Sequence, residues 1–292
     1  MHFTEPVYRH HLEMDTPLLQ ITAGCSHNRC SFCTIYKDVK FEINSMAHIE
    51  EDIQELRQTY PRLKRIFLVN GDPLALPTHK LEQILKKITE AFPEMKTIST
   101  HASVRNLCGK KKDELMRLKG LRLNDLYIGL DSGHDDALAV MNKGYTADQA
   151  LNRLTMLKKV DIRYRALILL GAAGKGNGTV NARDTASLLN ATSPEVVSVL
   201  PLGIFPDSRL ETLYKQGSFT PPTEREMIEE EIELLQLLDL EDTLFYGGHK
   251  NNLVTISGRL PDEKQTMLGK LDSALTTIPH ETLNAFANRQ TL

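Results

Sequence analysis

Short apolar runs alternate along this chain with longer stretches in which apolar residues recur every three or four positions. The runs at about 18–24 (LLQITAG), 66–70 (IFLVN), 97–102 (TISTHA), 125–130 (DLYIGL), 163–170 (RYRALILL) and 196–203 (VVSVLPLG) read as strands. Between them the periodicity predicts helices around 48–60, 78–92, 112–119, 146–159 and 183–192, with Thr146 and Asp184 standing where N-caps belong. Such alternation argues for an α/β fold with a parallel sheet. Right-handed crossovers would curl the strand–helix units into a full or partial (β/α) barrel, with its active face at the C-terminal ends of the strands. Beyond about residue 210 the pattern changes. A strongly acidic helix is predicted over 223–238, with Met227, Ile228, Ile232, Leu235 and Leu238 forming one buried stripe beneath a charged outer face. A strand-like piece follows, TLFYGGHKNNLVTISGRLP, and then a last helix from about Pro261 to Thr277. The expected division is a core at 1–210 and a C-terminal extension at 211–292.

Against this frame the informative feature is the run ITAGCSHNRCSFC, which closes the first predicted strand and carries Cys25, Cys30 and Cys33. The C-x4-C-x2-C spacing puts three soft thiolate ligands on one short loop, while Cys108 lies far away in sequence. Three thiolates from one loop suit an iron–sulfur cluster whose last iron is left to a ligand other than a nearby side chain. Structural zinc is the alternative; it wants four ligands and often two paired knuckles, and only one knuckle exists here, although His27 lies inside the loop. Inert buried thiols are a further alternative, since cysteine packs as a small apolar residue. A disulfide framework fits poorly with a long, cysteine-poor chain. The turns NGDP after the second predicted strand and DSGHDD after the fourth fall on the same face as the cysteine loop. His101, at the end of the third strand, points there as well, as either a site residue or a hydrogen-bonded structural histidine.

Composition narrows the class. The chain has 292 residues, 41% hydrophobic and 25% charged, which suits one large domain or a domain with an appendage and an ordinary buried core. A formal net charge of −3 leaves no electrostatic footprint for nucleic acid, and the basic cluster Lys110, Lys111, Lys112 reads as a solvated helix start. No apolar run reaches membrane-spanning length and the first residues, MHFTEPVYRHH, lack a signal pattern, so the cytoplasm is the expected compartment. The stretch AAGKGNG (172–178) lacks the order of glycines and lysine of a P-loop and reads as a flexible loop above the active face.

With its cysteine loop after the first strand, the sequence resembles the radical S-adenosylmethionine (SAM) superfamily, whose usual spacing is C-x3-C-x2-C; the first gap here is one residue longer. Phe32 matches the aromatic before the last cysteine, which packs against adenine in that family. The turn Asn70-Gly71-Asp72-Pro73 resembles the family's GGEP turn, which meets the methionine amino group, with Asp replacing Glu. The stretch IGLDSGHDDALAVMNKGYT resembles one seen in the branch of methylthiotransferases and oxygen-independent coproporphyrinogen oxidases. That match implies Asp131 near the ribose, Ser132 among the cofactor-binding residues and Lys143 pairing with the methionine carboxylate. LPLGIFPDSRL (200–210) is similar to the proline-rich end of that branch's sixth strand, so the resemblance covers roughly 18–210. It implies a partial (β/α)6 TIM-like barrel with a C-terminal helical extension. It also implies a [4Fe-4S] cluster on Cys25, Cys30 and Cys33, and SAM chelating the open iron. The implied activity is that of an oxidoreductase-like enzyme, in which reductive cleavage of SAM yields a 5′-deoxyadenosyl radical that takes hydrogen from a substrate. Such an enzyme draws electrons from a donor such as flavodoxin or ferredoxin. A small-molecule substrate is the expected class; a non-catalytic zinc or iron–sulfur protein, or a modifier of RNA or protein, are the alternatives.

Overall fold

The computed structural model describes residues 1–4, 6–287 and 289. The chain forms two compact units, one made of Met1–Asn28, Tyr36–Ile128 and Met156–Tyr164, the other of Arg29–Ile35, Gly129–Thr155 and Arg165 onward. The fold is α/β with a mostly parallel sheet.

In the first unit the predicted opening strand is split. Leu18–Gln20 (β1) joins the main sheet, whereas Thr22–Ala23 (β2) turns away to pair antiparallel with Glu42–Ile43 (β3). After the helix Met46–Thr59 (α1) come Arg65–Val69 (β4), Thr78–Ala91 (α2) and Thr97–Ala102 (β5). Two helices, Val104–Cys108 (α3) and Lys112–Gly120 (α4), lead to the strand Leu123–Asp131 (β6), whose first six residues belong to this unit. Strands β1, β4, β5 and β6 lie side by side in that order, all parallel. Helix α2 buries Leu81, Ile84, Leu85 and Ile88, the i, i+3, i+4, i+7 stripe its sequence predicts. One sheet face is apolar, with Leu19, Ile66, Leu68, Ile98, Leu126 and Ile128 essentially inaccessible. The other carries Gln20, Arg65, Ser99, His101, Asp125 and Tyr127, since neighbours in register share a face: Phe67 opposite Ser99, Ser99 opposite Asp125, His101 opposite Tyr127. Of the basic cluster, Lys111 and Lys112 are exposed at the start of α4, but Lys110 is buried and donates to the Leu76 carbonyl at 2.6 Å. The solvated reading fails there because an adjacent backbone acceptor holds the ammonium in the interior.

The second unit contains Asp135–Val140 (α5), most of Ala147–Lys159 (α6) and most of the strand Arg163–Leu170 (β7). It continues with Gly178–Thr192 (α7), Val196–Pro201 (β8), Arg209–Lys215 (α8) and Glu224–Leu237 (α9). Next come Thr243–Gly247 (β9), Ile256–Leu260 (β10), Lys264–Thr277 (α10) and the turn of helix His280–Leu283 (α11). Strands β7, β8 and β9 are parallel, and β10 returns antiparallel to β9. Thr146 caps α6 through the Gln149 N–H. Asp184 does not cap: α7 starts earlier, at Gly178, and Asp184 sits on an interior turn where its carboxylate meets His134 Nδ1 at 2.7 Å. The predicted charged outer face of α9 is also corrected. Because α9 packs between α7 and α10, Glu224, Glu230 and Glu231 are buried with the apolar stripe, while Ile232 is only half-buried.

Candidate cofactor site

Within the first unit the approach to Cys25 is built by close backbone packing. Gly24 adopts φ +68°, and a Cβ there would lie 2.7 Å from the Lys40 carbonyl oxygen, so neither the torsion nor the space admits a side chain. Gly71 has φ +70°, and its Cβ would lie 2.5 Å from the Gly24 oxygen, which seats the NGDP turn directly on the cysteine loop. Side-chain bonds reinforce this seat. Ser26, beside Cys25, donates to Asp72 Oδ2, which also accepts Asn106 Nδ2 at 3.2 Å. The Asp72 N–H donates to Thr22 Oγ1 at 3.1 Å and the Gly71 N–H to the Tyr36 hydroxyl at 3.0 Å. Asn28 turns the loop at φ 43°, sending its N–H to Cys25 Sγ at 3.4 Å and its amide to the Tyr36 carbonyl at 2.7 Å. Asn70 faces elsewhere: its Oδ1 accepts the Tyr8 N–H and its Nδ2 donates to the Thr4 carbonyl and to Gln20 Oε1.

Within the second unit the other half of the loop is anchored through Ser31, whose N–H donates to the Met141 carbonyl at 2.9 Å and whose carbonyl accepts the Leu210 N–H at 2.7 Å. Phe32 packs against the core formed by Met141, Leu169, Leu202 and Leu210. Lys143 Nζ lies 5.8 Å from the Phe32 ring centroid and forms a buried ion pair with Asp131. Burial pulls the lysine down, but Asp131, Tyr145 and Cys30 outweigh it and hold the ammonium well above its usual range. Asp131 ends β6 with φ +65°, a left-handed turn that aims its carboxylate at Lys143. Ser132 accepts the His134 N–H and donates to Asn181 Oδ1 at 2.5 Å, while a Cβ at Gly133 would lie 2.7 Å from the Asp184 oxygen. The DSG turn is thereby docked on α7, and Ser132 is fully buried.

This unit thus brings together Cys30, Phe32, Asp131 and Lys143, with Ser132 turned into the support behind them. Cys25, Gly71 and Asp72 are brought together in the first unit. Cys25, Cys30 and Cys33 are half-buried, and Cys108 is exposed at the end of α3. Among the described residues no group of three or more His, Cys, Asp or Glu side chains is arranged to hold a metal ion. The donor set fits an iron–sulfur cluster on its chemistry: soft sulfur ligands, accessible rather than sealed in the core, on a loop whose Sγ accepts a backbone N–H.

His101 is half-buried on the polar sheet face, edge-on to Phe67 at 5.0 Å and to Tyr127 at 6.0 Å between ring centroids. Its surroundings hold the ring neutral, with burial pushing it down to about 4. The stretch 172–178 is tied down rather than loose: the Gly171 and Gly176 N–H groups are taken by Glu230 and Glu226, and the Lys175 N–H by the Thr220 carbonyl. Sequence reasoning missed this support by α9, and the Asn181–Glu230 bond of 2.6 Å with it. The only signal in the sequence is the density of glutamates in α9, which does not distinguish buried from exposed ones.

A sequence model of the Radical SAM superfamily matches residues 19–176, and the chain belongs to that superfamily. Its enzymes use a [4Fe-4S] cluster together with SAM. An uncharacterised protein of Methanocaldococcus jannaschii is 22% identical over 222 residues, which cover 72% of this chain and 67% of that protein. A putative L-lysine 2,3-aminomutase of Aquifex aeolicus is 34% identical over 80 residues, covering 27% of this chain and 21% of that protein. Methylornithine synthase (PylB) superposes with a TM-score of 0.57 at 12% identity, over 88% of this chain and 68% of its own. Coproporphyrinogen III oxidase (HemN) of Escherichia coli gives 0.53 at 16% identity, over 76% of this chain and 51% of its own. These structures carry the fold, the α/β partial-barrel type expected from the strand–helix alternation. Among the described residues no helix is long and apolar enough to cross a membrane.

Proposed function

We propose that this protein is a radical SAM enzyme of oxidoreductase-like chemistry in which Cys25, Cys30 and Cys33 hold a [4Fe-4S] cluster. Held by these three cysteines, such a cluster would supply the one-electron reduction by which bound SAM is cleaved to a radical able to take hydrogen from a substrate. The observation that carries this reading is the buried Lys143–Asp131 pair set against Phe32 and close to Cys30. A lysine kept charged in the interior is a seat for an anionic group such as the methionine carboxylate. Its partner Asp131 prevents that charge from standing alone when the seat is empty and remains an acceptor for hydroxyl groups such as those of ribose. Phe32 offers an apolar ring face of the kind adenine stacks on. Asp72 and Gly71 orient the Cys25 limb, and Ser132 fixes the turn that presents Asp131. The reading extends to a small-molecule substrate, a flavodoxin- or ferredoxin-like electron donor and a cytoplasmic location, where thiolates stay reduced.

The test is anaerobic reconstitution with iron and sulfide, followed by electron paramagnetic resonance of the reduced protein with and without SAM. A [4Fe-4S]⁺ signal that changes when SAM is added is the expected result. A protein that takes up zinc alone, or a cluster indifferent to SAM, overturns the proposal.

A further inference from the structure

The polar sheet face of the first unit is covered by the chain's own N-terminus. His2 donates its N–H to the buried Asp52 carboxylate on α1 at 3.0 Å and stacks on His48, with ring centroids 4.2 Å apart. Thr4 bonds Gln20 on β1 twice: its N–H donates to Oε1 at 2.9 Å, and its hydroxyl oxygen accepts from Nε2 at 3.0 Å. His10 packs on Tyr127, with centroids 4.7 Å apart. At the far end Glu13, wholly buried, is clamped by Arg65, by the Tyr127 hydroxyl at 2.7 Å and by Ser99 at 3.3 Å. Arg65 also holds Asp125 at 2.6 Å. Residues 2–4 and 6–13 therefore form a strap fastened to β1, β4, β5 and β6, running from the Asn70 end of the sheet to the Arg65 end.

The bond that matters for function is the one the strap makes with Asn70. That side chain is 2% exposed and spends its oxygen on the Tyr8 N–H (3.1 Å) and its nitrogen on the Thr4 carbonyl (2.7 Å) and Gln20 (3.1 Å). Asn70 itself sits at φ 55°, its carbonyl accepts the Thr22 hydroxyl, and Gly71 and Asp72 follow it directly. From there one step leads through the Asp72 carboxylate to Ser26 and so to Cys25. Tyr8 also meets Tyr36, which receives the Gly71 N–H, edge to face at 5.8 Å.

We infer that the N-terminal strap is a positioning element for the cysteine loop: by filling the hydrogen-bonding groups of Asn70 it holds the Asn70–Asp72 turn, and with it the Cys25 limb, in one ordered conformation. The functional consequence for the cluster rests on the reading proposed above. The structural part does not, and the test separates the two.

Three variants unfasten the strap while leaving the residues of the turn and the cysteines unchanged: Thr4→Val, which removes the hydroxyl to which Gln20 donates, Tyr8→Pro, which removes the N–H that Asn70 accepts, and deletion of residues 2–9. Leu271→Ala, a core truncation in α10, serves as a control of lowered thermal stability. In the cluster-free protein, alkylation of Cys25 is followed by mass spectrometry, with exposed Cys108 as internal reference. Loss of one or two ordering hydrogen bonds predicts roughly a tenfold faster reaction at Cys25 in the strap variants, with Cys108 unchanged and the control like the parent. In the reconstituted protein the same variants should lose iron to a chelator severalfold faster and show shifted resonance in the presence of SAM. Unchanged Cys25 alkylation in all three strap variants, or an equal rise in the control, overturns the inference. Failure of the parent to bind a cluster would remove the proposed function while leaving the alkylation result to decide the role of the strap.

Discussion

Glu231 offers the sharpest quantitative prediction, because it is a carboxyl group folded into a place that does not suit a charge. It is 3% exposed, its Oε1 has no hydrogen-bond partner, and a Cβ at Gly247 would lie 2.6 Å from that oxygen. Burial, and then its neighbour Glu230, push the acid up to about 8 from an ordinary value of 4.5. The folded protein therefore keeps a proton that the unfolded chain releases above pH 4.5. Stability is undiminished below that pH and is lost as pH rises toward the folded-state value. The slope is roughly 1.4 kcal/mol per pH unit, so about 3 kcal/mol disappears between pH 6 and pH 8. Glu231→Gln replaces the neutral acid by a neutral amide of the same shape and removes this dependence. The two proteins should melt within a few degrees of each other at pH 5, whereas at pH 8 the variant should lie roughly 5–10 °C above the parent. Thermal unfolding in matched buffers from pH 5 to pH 9, followed by near-ultraviolet circular dichroism, measures it. Parallel pH profiles for parent and variant would refute the assignment of Glu231 as a buried neutral acid.

Glu230 should behave in the opposite way. The difference lies in its partners: burial raises this acid too, to about 7, but its oxygens accept the Gly171 N–H and Asn181 Nδ2, so Glu230→Gln forces an amide nitrogen against a donor and should lower stability by about 1–3 kcal/mol at pH 5, read as a lower melting temperature. Replacing Cys25, Cys30 or Cys33 singly by alanine should abolish cluster retention and SAM cleavage, read as iron per chain and 5′-deoxyadenosine formed; a variant with full SAM cleavage refutes the ligand assignment. Lys143→Met strands the Asp131 carboxylate and should cost about 3–5 kcal/mol of stability, with part restored in the double variant Lys143→Met/Asp131→Leu; the same single change should weaken SAM binding at least tenfold in titration calorimetry. Gly133→Ala should lower stability by about 1–3 kcal/mol, since its methyl group would meet the backbone of α7 at Asp184 and Thr185, and thermal melts of the variant check it.

The helical stripe of α2 and the strands β4, β5, β7 and β8 were legible from periodicity because each reports a one-sided burial written into neighbouring residues. The start of α7 was not, because Asp184 has a capper's chemistry but stands in the middle of the helix; its meeting with His134 explains the residue. The break after Gln20 was equally hidden, since the apolar run continues through Ile21 while the hydrogen bonding passes to β3. At the site, Phe32, Asp131 and Lys143 were named only through the resemblance of their surrounding motifs to those of the radical SAM superfamily. That Lys143 pairs with Asp131, and that Asn70 serves the N-terminal strap, appeared only in three dimensions.

What the sequence by itself determined is the alternation of strands and helices and the donor chemistry of its three clustered cysteines. Both are local properties: one a periodicity of a few residues, the other the softness of sulfur on a short loop. The tertiary structure decided which charges are buried, as at Lys143, Glu230, Glu231 and Lys110, and what each is paired with. Burial of a polar group is set by partners far away in sequence, as when α9 meets α7, and no window of neighbouring residues contains that information.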